Sequence, residues 1–166
     1  MVAQAQKVKV EYDKKADFTQ YKTYTWMKLG QPNHPLILMD IVGIIDNALQ
    51  ARGLKKVPSG GDLLVNGYGS MDDAISVSYN RDIYAMPGLD APLTWEAGGT
   101  PAWAGNGTSV QIDKGTLVVD VVDRKAKQLK WRGTAKANLD PTQEEKSLDT
   151  IDKGVEKMMS EFPGKP

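Results

Sequence analysis

Thr116-Leu117-Val118-Val119-Asp120-Val121-Val122-Asp123, followed shortly by Leu129-Lys130-Trp131-Arg132-Gly133-Thr134-Ala135-Lys136, decides the fold. Leu117, Val119 and Val121 alternate along the first run, and Leu129, Trp131, Gly133 and Ala135 along the second. A period of two is the pattern of a strand with one buried face, and two such runs around a short polar turn read as an antiparallel hairpin. Directly opposed residues point to the same face. If Leu117, Val119 and Val121 share the core with Leu129, Trp131 and Ala135, paired residues are both odd or both even in number, such as Val121 with Leu129 or Trp131. The turn then holds three or five residues. Asp120 falls opposite Lys130 or Arg132 on the other face, as a cross-strand ion pair worth ~0.2–1 kcal/mol. Asp123, an odd number of residues from Asp120, points to the opposite side and does not converge with it on a metal or a proton. It is placed to start the turn, accepting nearby backbone amides.

Outward from the hairpin, the chain alternates strands and helices. Val8, Val10 and Tyr12 alternate with Lys7, Lys9 and Glu11, and a second strand is expected over 22–27. Residues 36–52 read as an amphipathic helix that starts behind Pro35 and stops at Gly53, a left-handed cap. Gly43 inside it costs ~1 kcal/mol against Ala, a cost that close packing of helix on sheet would explain. Residues 62–68 and 74–79 are further strand candidates. A last helix is expected over 143–162, with Thr142 and Glu145 as a capping box and Leu148, Ile151, Val155, Met158 and Phe162 as its apolar stripe. The order β-β-α-β-β-long loop-β-β-α implies an α+β fold, a mixed, mostly antiparallel sheet with two amphipathic helices packed on one face. One domain over 7–163 is expected, with residues 1–6 a signal-site or linker remnant.

Composition narrows the function. The chain has 166 residues, 21 basic and 21 acidic side chains, and no net charge. A nucleic-acid binder carries a basic surplus, so no nucleic-acid partner is expected. No apolar run approaches the ~18 residues of a membrane span. Without Cys there is no thiol nucleophile, disulfide or Cys-ligated metal, and His34 is the single histidine. No cofactor or metal is expected, and the residues supply no catalytic set. Ala3-Gln4-Ala5 has the small-x-small pattern of a signal-peptidase site, which implies export and an apolar stretch upstream.

Several motifs resemble a known family. They are Asp17-Phe18-x-x-Tyr21-Lys22-Thr23 with Trp26, Ala48-Leu49-x-Ala51-x-Gly53-Leu54, Gly115-Thr116-Leu117-x-x-Asp120, Trp131-Arg132-Gly133 and the closing Phe162-Pro163. Together they resemble the bacterial envelope family called domain of unknown function 4136, from about Val8 to Pro163. The resemblance implies an exported protein, periplasmic or outer-membrane associated, or secreted. Many members resemble lipoproteins; this chain has no Cys, so the anchoring Cys is expected upstream of Val2, or this member is a soluble periplasmic or secreted form. The family has no established activity, so no catalytic residue carries over.

Two regions are candidate binding sites. Residues 81–110 break all periodicity, with five Gly and three Pro framing Tyr84, Trp95 and Trp103. Such aromatics can stack on sugars or anchor a protein, or fold back over the sheet. Residues 120–136 hold six bases against two acids, and Arg124, Lys125 and Lys127 at the turn can meet lipid phosphates or an anionic glycan. Asp72-Asp73 reads as a turn, His34 as a loop residue and Asn106-Gly107-Thr108 as a coincidental sequon. The leading expectation is a non-enzymatic envelope module that binds a protein, glycan or lipid surface. The alternatives are a hydrolase using Asp62 or Glu96 with Asp120, or a carrier of a small apolar ligand.

Overall fold

The computed structural model describes residues 7–27, 35–70, 75–78, 109–112, 115–140 and 142–163. The strands are β1 (Lys7–Tyr12), β2 (Thr23–Trp26), β3 (Lys55–Lys56), β4 (Leu63–Ser70), β5 (Ile75–Ser78), β6 (Ser109–Ile112), β7 (Thr116–Asp123) and β8 (Gln128–Lys136). The helices are α1 (Pro35–Ala51) and α2 (Glu144–Met159), with a 3-10 turn at Phe18–Gln20. Six strands form one sheet in the order β1-β8-β7-β4-β2-β3, and β5 and β6 pair separately. The β1/β8, β8/β7 and β7/β4 pairs are antiparallel, whereas β4/β2 and β2/β3 are parallel. The parallel β2/β3 pair needs a crossover, and α1 supplies it. The fold is therefore α+β with a mixed sheet, as the hydrophobic periods imply.

Both helices lie on the face that carries Tyr24, Leu63, Val65, Val119, Val121 and Trp131, and Ile45, Leu49, Ile151, Val155 and Met158 close the core from above. Phe18, Tyr21 and Phe162 seal one end, with Phe18 edge-on to Phe162 at 5.5 Å between ring centres. Trp131 has room because Gly133 stands two residues on. A Cβ at Gly133 would lie 2.5 Å from the Trp131 ring and 2.7 Å from Met158 Sδ. Gly53 caps α1 at φ +85°, where Leu54 N–H donates to Leu49 O.

From β3 the chain must return across β2 to begin β4. Residues 57–62 make this passage. Val57 N–H donates to Tyr24 O, Gly61 N–H to Thr25 Oγ1 and Asp62 N–H to Thr23 Oγ1. At Gly61 a Cβ would stand 2.6 Å from the Tyr24 carbonyl carbon, so only glycine lets the passage lie this close.

Four expectations are corrected. Gly43 does not relieve a helix–sheet contact, since a Cβ there would meet nothing within 4 Å. The capping box does not form. α2 begins behind Gln143 without a side-chain cap, and the Thr142 hydroxyl donates instead to Asp140. The excursion ends two residues early, because Ser109 and Val110 already belong to β6. The hairpin keeps the expected register only as far as Val121↔Trp131 and Asp120↔Arg132. Beyond them Val122 pairs with Leu129 and Asp123 with Gln128, so Lys130 is an extra residue, a β-bulge. The bulge changes the parity, leaves four residues in the turn rather than three or five, and moves Leu129 to the face opposite Trp131. It also gives Lys130 a use: its carbonyl accepts Asp13 N–H and its Nζ donates to Asp13 Oδ2 at 2.9 Å.

Candidate functional site

The face opposite the helices carries a row of charge. Glu11 on β1 opposes Arg132 on β8, Arg132 opposes Asp120 on β7, and Asp120 opposes Asn66 on β4. Arg132 donates from Nε and Nη2 to the two Asp120 oxygens, a bidentate fork. Asp120 is 0% exposed and Arg132 4%. The pairing follows the sequence reading, but its setting does not. This pair is buried, and it sits among Val118, Val122, Leu129 and Thr134, which are buried too. Two polar atoms close by, Glu11 Oε2 and Thr134 Oγ1, are buried and have no hydrogen-bond partner. The arrangement fixes strand order and holds Asp120 in place. Both carboxylate oxygens face a guanidinium, which is poor geometry for passing a proton to a substrate.

At the end of the sheet where β7 turns into β8, several turns converge. The turn after β1 carries Lys14 and Lys15, the approach to β2 carries Lys22, and the β7–β8 turn carries Arg124, Lys125 and Lys127, all exposed. The four aspartates here each accept backbone amides. Asp13 accepts Lys15 N–H, Asp17 accepts Thr19 N–H, Asp62 accepts Lys22 and Thr23 N–H, and Asp123 accepts Lys125 and Ala126 N–H. Asp123 also accepts the Tyr21 hydroxyl at 2.8 Å. Arg124 is tied to the passage over β2 by its Nε, 2.8 Å from Gly61 O.

These bonds favour the charged carboxylates. The Lys130 ammonium beside Asp13 and the Lys22 amide on Asp62 hold both groups below the ordinary value. Burial of Asp123 acts the other way and is outweighed by the Ala126 amide, the Tyr21 hydroxyl and the Lys125 amide. Because the folded values are depressed, the stability they supply is complete above the unfolded carboxylate range near ~4 and drains as pH falls through the lower folded values. The urea midpoint should be flat from neutral pH to about pH 5 and fall steeply below about pH 4. Asp62→Asn should make that fall shallower; an unchanged acid limb would contradict the assignment.

Sequence reasoning missed Asp46. Its Oδ1 accepts Tyr24 Oη and Trp26 Nε1, each at 2.7 Å, and its Oδ2 accepts Lys56 Nζ at 2.7 Å. One helical carboxylate thus ties α1 to β2 and β3. Its only sequence signal is an acid set next to Ile45 in the apolar stripe of α1. Asp46→Ala should cost about 1.5–3 kcal/mol in equilibrium unfolding, because it orphans two donors on largely buried rings.

Of the predicted binding residues, three are described. Arg124, Lys125 and Lys127 sit at the Asp123 end of β7. β5 and β6 lie beyond its other end, and Ser78 pairs with Ser109, so residues 79–108 are inserted between register partners. Tyr84, Trp95, Glu96, Trp103 and Asn106 fall in that insertion and lie outside the described residues, as do Ala3-Gln4-Ala5, His34 and Asp72-Asp73. Among the described residues no three acidic or histidine side chains gather as metal ligands, and no helix is long and apolar enough to cross a membrane.

The profile of domain of unknown function DUF4136 matches residues 8–164. The chain belongs to that family. A crystal structure of a DUF4136 family protein from Bacteroides thetaiotaomicron is similar, with a TM-score of 0.54 and 15% identity over 95% of this chain and 96% of that one. A PDZ domain protein from Parabacteroides distasonis gives a TM-score of 0.55 at 15% identity over 96% of this chain, which spans only 36% of that protein. The PelC dodecamer from Paraburkholderia phytofirmans gives 0.53 at 10% identity over 98% and 100% of the two chains. At these identities the likeness is one of fold. No curated protein matches the sequence. The motif residues serve as packing here: Phe18, Tyr21, Tyr24 and Trp131 all lie in the core, and Gly133 makes the space for Trp131.

Proposed function

We propose that this DUF4136 protein is an exported cell-envelope protein that acts as a non-enzymatic binding module, with residues 79–108 as its recognition segment. The observation that supports the reading is the strand pairing that brackets that segment. Its two ends, Ser78 and Ser109, are held as partners in a ribbon that follows on from β4 and β7, the two central strands of the sheet. Binding loops are commonly mounted between paired scaffold strands in this way. It contains Tyr84, Trp95 and Trp103, residue types that dominate binding energy at interfaces.

The hydrolase alternative loses support from the carboxylates it needs. Asp120 is forked by Arg132, and Asp62 is occupied by the Lys22 and Thr23 amides. Export rests on Ala3-Gln4-Ala5 and on the envelope character that the family resemblance implies. Cell fractionation of the product of the complete gene tests it: recovery outside the inner membrane is expected, and a wholly cytosolic product would contradict export. Binding is tested by capture from an envelope extract. A partner retained by the native chain should be lost with Trp95→Ala/Trp103→Ala; equal retention by both would contradict the role given to the insertion.

A further inference from the structure

We propose that the end of the sheet bearing the β7–β8 turn docks on a bilayer of anionic phospholipid. The proposal rests on the layout of charge and is independent of what the insertion binds. The chain has no net charge, so any attraction to an anionic surface must come from segregation of its charges. Segregation is what this end shows. Lys14, Lys15, Lys22, Arg124, Lys125 and Lys127 reach it from three separate turns, all exposed. The aspartates of the same turns accept backbone amides, and Asp13, Asp62 and Asp123 are half-buried, so that the exposed bases at this end outnumber its exposed acids. Asp17, and Glu161 beside Phe162 after α2, are exposed acids at this end, two against the six exposed bases.

The shape favours a surface over a single anion. From β1 to β2 the sheet order spans four strand spacings, about 19 Å, and the bases are distributed across it rather than around one hollow. Five of the six are lysines, which act as flexible point charges and suit many mobile headgroups rather than one fixed fork. Tyr12 adds the interfacial element. It is 39% exposed at this same end, next to Asp13, and is one of two large apolar side chains exposed among the described residues. Tyrosine rings settle at headgroup depth, with the ring in the apolar layer and the hydroxyl in water.

Co-sedimentation with phosphatidylglycerol vesicles tests the proposal, with phosphatidylcholine vesicles as reference. The native chain should pellet with the anionic vesicles at about 50 mM salt and release near 500 mM, as screening shortens the range of its charges. Each lysine near such a leaflet contributes about fivefold in partitioning, so Lys125→Gln/Lys127→Gln should bind about 25-fold more weakly. Lys7→Gln/Lys146→Gln removes the same charge elsewhere and should leave binding unchanged. Trp95→Ala/Trp103→Ala should also bind vesicles normally, which separates this proposal from the role of the insertion. Absence of pelleting, or equal loss from the two lysine pairs, would overturn it. So would retention on an anionic polysaccharide resin such as alginate without vesicle binding.

Discussion

Arg132→Ala should lower the unfolding free energy by about 3–5 kcal/mol. The substitution leaves the Asp120 carboxylate at 0% exposure without the guanidinium that forks it. An isolated buried charge is costly, and truncating one partner of a buried pair exposes that full cost. For a chain of this length the loss corresponds to roughly 10 °C in melting temperature. The companion variant separates burial from attraction. Asp120→Leu/Arg132→Met removes both charges and should recover most of the loss, since well-packed apolar pairs replace buried ion pairs with little penalty. Urea unfolding of the two single variants and the double variant closes the cycle. A cost below ~1 kcal/mol for Arg132→Ala is what a solvent-exposed pair would give and would contradict the burial assigned to this face.

Trp131→Ala should be comparably severe, at about 3–5 kcal/mol. The indole is fully buried, lies 5.3 Å centre to centre from Phe162, and fills the space that Gly133 leaves under Met158. Sheet and α2 cannot collapse onto the void without shifting the strand pairing on both sides of β8. Its Nε1 has no hydrogen-bond partner. Trp131→Phe should therefore cost far less than Trp131→Ala, because it gives up volume and no bond. Equal losses for Phe and Ala would show that the nitrogen, and not the packing, holds the site.

These two residues show what the sequence makes legible. Period-two alternation placed β1, β7 and β8, and the 3.6-residue stripes placed α1 and α2, because each pattern is the imprint of one buried face. The same patterns are silent on neighbours. Nothing in Lys7–Tyr12 says that β1 pairs with β8, since alternation records a face and not a partner. The bulge at Lys130 was hidden for a related reason: one extra residue on one strand is defined only against the strand opposite. Leu129 was misassigned with it. Asp120 and Arg132 read as a solvent-facing pair because alternating charge usually marks the wet side of a sheet. Burial of that side depends on what lies over it, which the strand itself does not encode. Asp46 was passed over because a single acid on a helix has no pattern until its donors, Tyr24, Trp26 and Lys56, come from elsewhere in the chain.

The candidate sites were legible in part. The turn cations were visible as a local basic surplus, but not that Lys14, Lys15 and Lys22 join them from distant sequence, nor that the nearby aspartates accept backbone amides. The insertion was visible as a loss of period, and β5 as the strand candidate over 74–79; its partner β6, only four residues long, was not.

That residues 79–108 recognise a partner is tested most directly by measuring binding and stability together on the full chain carrying Trp95→Ala/Trp103→Ala. The expected result is an unfolding free energy within about 0.5 kcal/mol of the native chain, with capture of the envelope partner reduced at least about tenfold, the loss of roughly one interface anchor. A loss of several kcal/mol in stability with capture unchanged would contradict it and would show that these rings serve the core.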